Sequence, residues 1–424
     1  MKTFDVCVVG GGASGCVCAI LLAKQGKSVC VVDKFDKPAK KILATGNGHC
    51  NITNQNLSSE FYNQNIDHYL NRFDAHSAEN LFKQFGLDIY ADDQGRCYPL
   101  SSSAKTVQFV LINQLDKYNV TFFGETEVTN ITNCNTWFVV DAKSISKTAN
   151  NKDASANNIS STKKKAKGND LLNTQSLGLQ IKAKQVVLAC GINKVAVDIC
   201  GKLGLKVATI LPSLCALKTS QSTKALEGLR LPNITAKICG TNICQTGEVL
   251  FKDNGLSGIC IFNLSHYFAK NGAFLGKISL NLAKDYTKMQ IVDMLTAKVN
   301  IFKNAHDLLC SVFDFALAKE ILQKSNVPLT APANKISAKQ FGDIAQNIID
   351  FKLDVVGSYP NNQVFCGGIV LDCLTNNLES KNCKNVFVCG ELCDVNGICG
   401  GYNLQWAWTS ASIVASAITN CAKK

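Results

Sequence analysis

The chain has 424 residues, of which 46% are hydrophobic and 18% charged, and its formal net charge at pH 7 is +12. This length predicts two or three domains, and the composition excludes both wholesale disorder and a multi-span membrane protein. The positive charge permits an anionic partner such as nucleic acid. However, no basic helix or strand with interleaved aromatic residues is present, so nucleic acid is a minor hypothesis.

The 21 cysteines are scattered singly through apolar runs, and no two have the spacing C-x-x-C. This distribution favours small buried thiols over disulfides or zinc ligands. No secretory pattern precedes them, so we expect a cytoplasmic, reducing environment. The sequon Asn51-Ile52-Thr53 would then not be glycosylated.

The N-terminal region predicts a βαβ unit. Residues Phe4 to Val9 form a short valine-rich run that is typical of a buried parallel strand. A helix is predicted from Ala13 to Gln25, with Gly26 as its stop, and a second strand from Ser28 to Val32. Glycines interrupt this region too often for a membrane-spanning helix.

A glycine-rich turn follows the first predicted strand. Gly10, Gly12 and Gly15 have the spacing G-x-G-x-x-G, which permits a tight turn, close approach of the backbone to a pyrophosphate, and close packing of helix on strand. Asp33 ends the second strand, where a carboxylate accepts hydrogen bonds from a ribose. These features predict a dinucleotide site at the helix N-terminus rather than a merely tight turn.

The middle of the chain predicts antiparallel strands, a polar loop and a second domain. Residues 120–140 and 179–188 alternate as strands do, and the lysine-, serine- and asparagine-rich interval 142–178 predicts a disordered hairpin loop. Short apolar runs between residues 201 and 283, including Leu205 to Ile210, predict a β-rich insert. Three helices are predicted after it, at Lys288 to Val299, Asn304 to Gln323 and Ser337 to Phe351.

The C-terminal region favours FAD over NAD as the dinucleotide. Val386 to Glu391 predicts a strand that runs into Gly-Glu, where FAD domains bring a carboxylate and a backbone N–H to the ribityl and pyrophosphate groups. In the segment Gly400 to Trp408, two glycines precede a helix that we expect Asn403 to cap. A second helix dipole suits the negative charge of a reduced flavin near N1 and C2=O, which an NAD dehydrogenase does not need.

The chain resembles a family of bacterial FAD-dependent oxidoreductases, variously named aminoacetone-oxidase-like or BaiN-type NAD(P)/FAD-dependent enzymes. The match is carried by five stretches spread along the chain: "VVGGGASG", "KKILATGNGHCNITN", "GRCYPLSSSA", "GEVLFKDNGLSG" and "LESKNCKNVFVCGELCDVNGICGGYNLQWAW". The resemblance implies an α/β fold, with a Rossmann-like FAD-binding domain of the glutathione-reductase type and an inserted domain containing a β-barrel and helices.

Three positions depart from the pattern of this family. Cys190 replaces a threonine in "VVLACG", and Asn47 and His49 stand where the family more often has Gly and Arg or Lys. The order of the predicted elements along the chain gives the domain organisation. We expect an FAD-binding domain made of residues 1–200 and 355–424, interrupted by an inserted domain at 201–354.

The predicted cofactor-binding residues lie in the glycine turn, after the second strand, in the segment Lys40 to Asn54, on a central strand, and near the C-terminus. They are Gly10, Gly12, Ala13, Ser14, Gly15, Asp33, Lys34, Lys41, Gly46, Gly48, Cys50, Asn51, Val128, Ala189, Cys190, Gly191, Gly390, Glu391, Gly401, Asn403, Leu404 and Gln405. We expect the segment Lys40 to Asn54 to run along the ribityl chain towards the flavin ring.

No catalytic residue stands out in the sequence. His49 and Tyr402 are weak candidates, and water is the alternative proton source. His49 beside Cys50 is a poor metal chelate, so we predict no metal site. Cys389, Cys393 and Cys399 are better interpreted as packing thiols than as a redox pair. We also expect Trp406 and Trp408 to lie in the core.

The sequence thus predicts a cytoplasmic FAD-dependent oxidoreductase that uses NAD(P)H as hydride donor and acts on a small organic substrate. Two alternatives remain: an FAD-dependent RNA-modifying enzyme, and a non-enzymatic flavin redox sensor. Membrane association is not expected, and the substrate and oligomeric state are left open.

Overall fold

The computed structural model describes residues 1–145 and 178–421. Most of the loop predicted at 142–178 therefore lies outside the described residues, and its ends continue the strands on either side. The strands are β1 (Lys2–Val9), β2 (Val29–Val32), β3 (Thr53–Asn54), β4 (Ile89–Ala91), β5 (Arg96–Pro99), β6 (Thr121–Phe123), β7 (Thr126–Asn133), β8 (Phe138–Ser144), β9 (Gly178–Leu188), β10 (Leu211–Thr219), β11 (Arg230–Ile238), β12 (Cys244–Lys252), β13 (Gly255–Ser257), β14 (Gly276–Asn281), β15 (Phe351–Cys366) and β16 (Val386–Val388).

The helices follow the same chain order and connect or cover these strands. They are α1 (Ala13–Lys24), α2 (Asp67–Leu70), α3 (Ala75–Gln84), α4 (Ala104–Lys117), α5 (Lys194–Lys202), α6 (Ile259–Lys270), α7 (Lys288–Thr296), α8 (Ala305–Cys310), α9 (Phe315–Lys324), α10 (Ala338–Ile349) and α11 (Tyr402–Cys421). No helix of the described residues is both long and apolar enough to cross a membrane.

A seven-stranded mixed sheet forms the first domain. Its strand order is β6-β2-β1-β9-β8-β7, and β16 also pairs with the C-terminal part of β9. The pairs of β1 with β2 and β9, of β2 with β6, and of β9 with β16 are parallel, whereas β7 and β8 add antiparallel strands. The valine-rich strands β2 and β16 are completely buried, as a central parallel sheet covered on both faces requires.

The helices α1 and α11 pack against each other beside this sheet. The N-terminal end of the chain thereby meets its C-terminal end in one hydrophobic core. This arrangement confirms the predicted Rossmann-like domain, to which both ends of the chain contribute.

The second domain contains a closed antiparallel barrel with the order β10-β13-β12-β11-β14-β15. The helices α7 to α10 follow β14 in the chain, and α6 packs on the barrel strands. A separate hydrophobic core unites barrel and helices. Thr287 and Ser337 each form a reciprocal cap with the glutamine three residues later, which explains where α7 and α10 begin.

Three local predictions differ from the structure. The single helix expected from Asn304 to Gln323 is two helices, because Asp314 leaves the helical path and accepts the N–H of Ala316 as the cap of α9. The run Leu205 to Ile210 is not a strand, although Val207 makes one isolated bridge to Ile369. The last barrel strand, β15, continues to Cys366, so the barrel extends beyond residue 354.

Candidate functional site

Four of the predicted cofactor segments meet at one edge of the mixed sheet. The glycine turn follows β1, Asp33 follows β2, Ala189 to Gly191 follow β9, and Gly390 and Glu391 follow β16. These four strands are parallel, so their carboxyl ends lie side by side. Ligands of open α/β sheets bind at this edge.

The glycine turn is held tightly against the loop after β9. Gly10 has a positive φ of 105°, and a Cβ atom built on it would lie 2.5 Å from Ala189 O. A Cβ on Gly15 would overlap the carbonyl oxygen of Gly10. A Cβ on Gly12, by contrast, would meet no atom within 4 Å. Gly10 and Gly15 are therefore required by packing, whereas Gly12 borders open space.

The open space beside Gly12 lies at the N-terminus of α1. No side chain caps this helix, and its first turn contains no acidic residue. Its N-terminal N–H groups and the positive end of its dipole are consequently available to an anion such as a pyrophosphate. Ala13 and Ser14 are the first residues of the helix, and Ser14 lies against Gly390.

Asp33 shapes the glycine turn. Its Oδ2 accepts the N–H of Gly11 at 2.5 Å, and its Oδ1 accepts the N–H of Phe35 at 2.7 Å. A carboxylate has about four acceptor positions, so both oxygens retain lone pairs for a ribose. The next residue, Lys34, is exposed, and its Nζ lies 5.6 Å from the centroid of the Phe35 ring.

The segment Lys40 to Asn54 folds into irregular turns beside the glycine loop. Gly46, Asn47, Gly48 and Cys50 all have positive φ, which is a conformation that glycine adopts most easily. From Cys50 onward the segment is buried, and burial raises the pKa of the Cys50 thiol to about 12. That thiol is therefore protonated at neutral pH.

His49 lies at the exposed side of this segment. Its Nδ1 is 2.8 Å from the carbonyl oxygen of Ser102. Because a carbonyl only accepts, this contact places the proton on Nδ1 in the neutral ring. Among the described residues, no three His, Cys, Asp or Glu side chains are grouped to hold a metal ion.

Glu391 connects the loops after β9 and β16 with the inserted barrel. Its Oε2 is 3.9 Å from Lys41 Nζ, and its Oε1 accepts the N–H of Phe365 on β15 at 3.3 Å. A Cβ on Gly191 would lie 3.0 Å from Oε2 and 3.4 Å from Lys41 Nζ. Burial raises the pKa of Glu391, while Lys41 and the Phe365 N–H act in the opposite direction.

The N-terminus of α11 meets the buried end of the segment Lys40 to Asn54. Asn54 Nδ2 donates to Gly400 O at 3.0 Å, and Thr53 Oγ1 donates to Gln405 Oε1 at 2.5 Å. Gly401 has a φ of 98°, and a Cβ built on it would lie 2.6 Å from Thr53 O. These two hydrogen bonds join residues that are 346 and 352 positions apart in the chain.

The prediction that Asn403 caps α11 is wrong. The helix begins at Tyr402, so Asn403 lies inside its first turn. The Asn403 side chain instead accepts the N–H of Gly397 at 2.9 Å and donates to the carbonyl oxygen of the same residue at 2.8 Å. Asn403 thus fixes the loop that precedes the helix, and the neighbouring Leu404 packs partly buried against the core.

The site offers groups that suit a ligand with both hydrogen-bond donors and negative charge. Asn51 Oδ1 is buried and has no hydrogen-bond partner within the described part of the chain. A Cβ on Gly401 would lie 2.8 Å from this oxygen. An unpaired buried acceptor costs about 1–3 kcal/mol, so it marks a place where a ligand donor fits. Together with the uncapped N-terminus of α1 and the acceptor oxygens of Asp33, this oxygen belongs to a set of groups that fits FAD.

Val128 is the one predicted cofactor residue that lies on a strand. It belongs to β7, at the antiparallel side of the sheet, and it is buried in the core. No described hydrogen bond connects it to the glycine turn.

Tyr402 is buried among aromatic side chains. Its ring centroid lies 4.6 Å from that of Phe61 and 6.0 Å from that of Tyr62. Burial raises the pKa of its hydroxyl to about 12, and the hydroxyl is 3.5 Å from Asn56 O. The phenol is therefore neutral, and its described contact points to the backbone.

The tryptophans near the site are buried, as are Cys389 and Cys393, whereas Cys399 is partly exposed. Trp406 Nε1 donates to Gly390 O at 3.0 Å and Trp408 Nε1 donates to Ile52 O at 2.9 Å, so both indoles fasten backbone at the site from within the core, as predicted. Burial raises the pKa of Cys399 to about 12 and that of Cys393 far above its usual range. Both are thiols at neutral pH.

A polar cluster at the junction of the two domains was not found from the sequence. Asn396 Nδ2 lies 3.0 Å from His266 Nδ1 on α6 and donates to Ser213 Oγ on β10 at 3.4 Å. His266 and Asn396 are both 2% exposed. A lone histidine in an apolar helix is usually a core residue, and 130 positions separate the two partners, so no sequence pattern indicates this pairing.

Two shallow surface grooves lie elsewhere, along β7 and α5. One is lined by residues including Glu127 and Lys143, and the other by residues including Asn133 and Cys383. Neither groove is lined by a predicted cofactor residue.

The chain matches a described family over almost its whole length. The family model "HI0933-like protein Rossmann domain" covers residues 4–417. A 3-dehydro-bile acid delta(4,6)-reductase of Clostridium scindens is 27% identical over 97% of this chain and 98% of its own length. Ribosomal RNA dihydrouridine synthases of Escherichia coli and Haemophilus influenzae are 25% and 24% identical, over 97% of this chain and 97% and 98% of their own lengths.

Proposed function

The chain belongs to the HI0933-like Rossmann-domain family of flavin-dependent oxidoreductases, and we propose that it reduces a carbon–carbon double bond that is conjugated with a carbonyl group. The hydride donor in this proposal is NADH or NADPH. The substrate is a small organic molecule. The resemblance predicted from the five sequence stretches is confirmed by the family match.

One observation carries the cofactor part of the proposal. Asn51 Oδ1 is a buried acceptor without a partner in the described part of the chain, and it lies against Gly401 at the start of α11. Gly12 leaves room at the uncapped N-terminus of α1 for a pyrophosphate. Bound FAD would supply the hydride chemistry, while these residues bind and orient it.

The names of the relatives support the direction of the reaction. A delta(4,6)-reductase and a dihydrouridine synthase both reduce carbon–carbon double bonds near a carbonyl group. In such a reduction the hydride reaches the carbon distal to the carbonyl and a proton reaches the carbon beside it. NAD(P)H and one proton are consumed, and NAD(P)⁺ is released.

The proposal is tested with the purified protein. We expect it to carry bound flavin, and we expect anaerobic NADH or NADPH to remove the visible absorbance of that flavin. Addition of 2-cyclohexenone should then restore the absorbance and yield cyclohexanone. Gly15→Ala, which prevents the close packing of the glycine turn, is the negative control. A flavin that is reduced by neither nucleotide, or that no conjugated alkene reoxidises, would refute the proposal.

A second candidate substrate is a uracil base in ribosomal RNA. Two relatives that match this chain over nearly their full length are named ribosomal RNA dihydrouridine synthases, and the net charge of +12 suits an RNA partner. Salt-sensitive binding of ribosomal RNA on filters, followed by NAD(P)H-dependent appearance of dihydrouridine, would support this candidate. If the protein reduces small enones but forms no dihydrouridine in RNA, small conjugated molecules remain as the proposed substrates and RNA is excluded.

A further inference from the structure

One asparagine ties helix α6 of the inserted domain both to a barrel strand and to the loop that leads into α11. Asn263 Oδ1 accepts the backbone N–H of Cys399 at 2.8 Å, and Asn263 Nδ2 donates to Gln245 Oε1 on β12 at 3.1 Å. The Asn263 side chain is 8% exposed. Two consecutive hydrogen bonds thus connect the barrel with the loop before α11.

The backbone N–H of Cys399 determines the orientation of both side-chain amides. A backbone N–H only donates, so the Asn263 atom that meets it is the amide oxygen, and the other end of the same amide is the nitrogen. That nitrogen only donates, so the Gln245 atom that it meets is also an oxygen. The Nε2 group of Gln245, with its two N–H donors, is therefore the end of the amide that Asn263 leaves free.

The Nε2 group of Gln245 is accessible. No described residue accepts a hydrogen bond from it, and the Gln245 side chain is half-buried. The enclosed side-chain atoms that lack a partner in the described part of the chain are Asn51 Oδ1, Asn396 Oδ1 and Ser412 Oγ. Gln245 Nε2 does not belong to this set, so a ligand reaches it without displacing the core.

An apolar side chain lies on the same side of strand β12. Gly247 follows Gln245 by two residues, so both face the same side of the strand. A Cβ built on Gly247 would lie 3.0 Å from Ile259 Cγ2. Ile259 is the first residue of α6 and is 37% exposed. This face therefore combines accessible apolar surface with one oriented donor, as small-molecule sites do.

The face formed by Gln245, Gly247 and Ile259 adjoins the cofactor edge of the sheet. Cys399, whose N–H is held by Asn263, is two residues before Gly401. A Cβ on Gly401 would lie 2.8 Å from Asn51 Oδ1, which is the unpaired acceptor of the cofactor site. One side chain, that of Asn263, thus links Gln245 to the loop that borders the predicted flavin.

We propose that Gln245 Nε2 binds the carbonyl oxygen of the substrate, that Ile259 packs against its ring, and that the substrate is an apolar cyclic enone. Asn263 is the positioning residue that aims the Gln245 amide. This inference rests on the proposed reduction of conjugated alkenes and names the side chain that binds their carbonyl group.

A fixed amide donor serves this reaction in a specific way. Hydride addition to a conjugated alkene moves negative charge onto the carbonyl oxygen, and an oriented donor stabilises that charge. Because Asn263 already holds the amide, little side-chain freedom is lost when the substrate binds. A side-chain amide does not release its proton in water, so Gln245 stabilises the charge and the proton for the neighbouring carbon comes from another source.

The first test is binding of 4-chlorophenol to the oxidised, flavin-loaded protein. Its phenolate oxygen carries the negative charge that the enone oxygen gains during the reaction, so the ligand resembles the charged state that Gln245 stabilises. The long-wavelength absorption band between a phenolate and oxidised flavin reports the dissociation constant. We expect the wild-type protein to show this band, and a protein that binds no phenolate would refute the subsite.

Variants of Gln245 isolate its donor. Gln245→Glu keeps the oxygen that Asn263 Nδ2 meets and replaces Nε2 by an acceptor of nearly the same size. We expect phenolate binding to weaken at least about tenfold and kcat for 2-cyclohexenone to fall by a similar factor. Gln245→Met removes the donor without adding a charge and should show both losses as well. Gln323→Glu on α9, where the side chain is exposed, is the matched control for the added charge.

A variant of Asn263 tests the orientation of the amide. Asn263→Asp still accepts the N–H of Cys399 but no longer donates to Gln245, so the glutamine should turn its Nε2 towards the new carboxylate and its oxygen towards the substrate. We expect normal flavin content together with the same loss of phenolate binding as in Gln245→Met. Phenolate binding and kcat that stay unchanged in all three variants would overturn the proposal.

Failure of the subsite and failure of the proposed function are distinguishable. If the wild-type protein reduces no conjugated alkene, the proposed function fails, and the phenolate titrations of the variants still decide whether Gln245 binds a charged oxygen beside the flavin. If the protein reduces alkenes and the Gln245 variants behave like wild type, only the subsite is refuted.

Discussion

The cofactor edge of the sheet and the junction with the barrel are built in different ways. At the cofactor edge, glycines bring backbone against backbone, as where Gly10 meets Ala189 and Gly401 meets Thr53. At the junction, side chains such as His266 and Asn396 bond across the two domains. Backbone packing restricts the residue types that the cofactor edge accepts, whereas a pair of side chains at the junction can be replaced by another pair that makes a similar contact.

The largest effect is expected from Gly15→Ala, which acts on the cofactor edge. The added Cβ would overlap the carbonyl oxygen of Gly10, so the turn or α1 must shift. We expect loss of bound flavin and a decrease of about 3 kcal/mol in the free energy of unfolding, which is the upper range for overpacking. Flavin content and urea denaturation check both effects. Gly201→Ala on α5, where a Cβ meets no atom within 4 Å, is the control. Retention of flavin by Gly15→Ala would contradict the backbone account.

The next prediction concerns the junction and depends on pH. The pKa of His266 is about 4 in the folded protein, against an ordinary value of 6.5. Between these pH values the unfolded chain binds a proton at this residue and the folded chain does not, so stability falls as the pH falls. The loss by pH 4 is at most about 3 kcal/mol. His266→Gln should lose less stability over this pH range than wild type.

Denaturant unfolding at several pH values measures this difference. The neighbouring charge is Lys270 on the same helix, and removing it by Lys270→Met should raise the pKa of His266 and flatten the curve only in part. Parallel curves for wild type and His266→Gln would show that this imidazole does not remain neutral on folding.

The contrast between the cofactor edge and the junction also explains which features could be predicted from the sequence. Gly10, Gly12, Gly15 and Asp33 lie close together in the chain, and the positive φ of Gly10 and the close packing at Gly15 require glycine, so their spacing was informative. The two-domain architecture followed from valine-rich strands at both ends of the chain and from the family resemblance. A local signal was also present where the single helix from Asn304 to Gln323 was wrongly predicted, because Asp314 is a residue type that often caps a helix and here begins α9.

The junction was not predictable for a physical reason. The partners His266 and Asn396 are 130 residues apart, and neither is a residue type that requires a special backbone conformation. The contact between Thr53 and Gln405 spans 352 residues and was not predicted either. The cap on α11 was misplaced because the helix begins one residue before Asn403, which redirects that side chain to Gly397.

A smaller effect separates ligand binding from folding at the cofactor edge. Gly12 has a φ of −76°, which any residue adopts, and a Cβ there meets no atom within 4 Å. Gly12→Ala should therefore leave the unfolding of the flavin-free protein unchanged but raise the dissociation constant for FAD about tenfold or more, or about 1.4 kcal/mol. Titration of flavin-free protein with FAD measures this. Gly48→Val is a poorer test, because the positive φ of 88° at Gly48 strains any side chain.

The smallest effect is expected where the two regions touch, at the pair formed by Lys41 and Glu391. The two groups are 3.9 Å apart, and the side chains are 59% and 29% exposed, so Lys41→Met should change the stability of the flavin-free protein by less than about 1 kcal/mol. Without Lys41 the pKa of Glu391 rises further, and a carboxyl group whose pKa is raised on folding loses its contribution to stability as the pH rises. The deficit of the variant should thus grow between pH 4 and pH 8.

Lys40→Met is the matched control for this prediction, because Lys40 forms a similarly exposed pair with Asp36 at 2.7 Å and has no described contact with Glu391. Its deficit should not follow the titration of Glu391. A constant deficit for Lys41→Met across this pH range, measured by thermal unfolding, would mean that Lys41 does not act on the Glu391 carboxylate. The hydrogen bond from the N–H of Phe365 to Glu391 would then remain as a described link between the cofactor edge and the barrel.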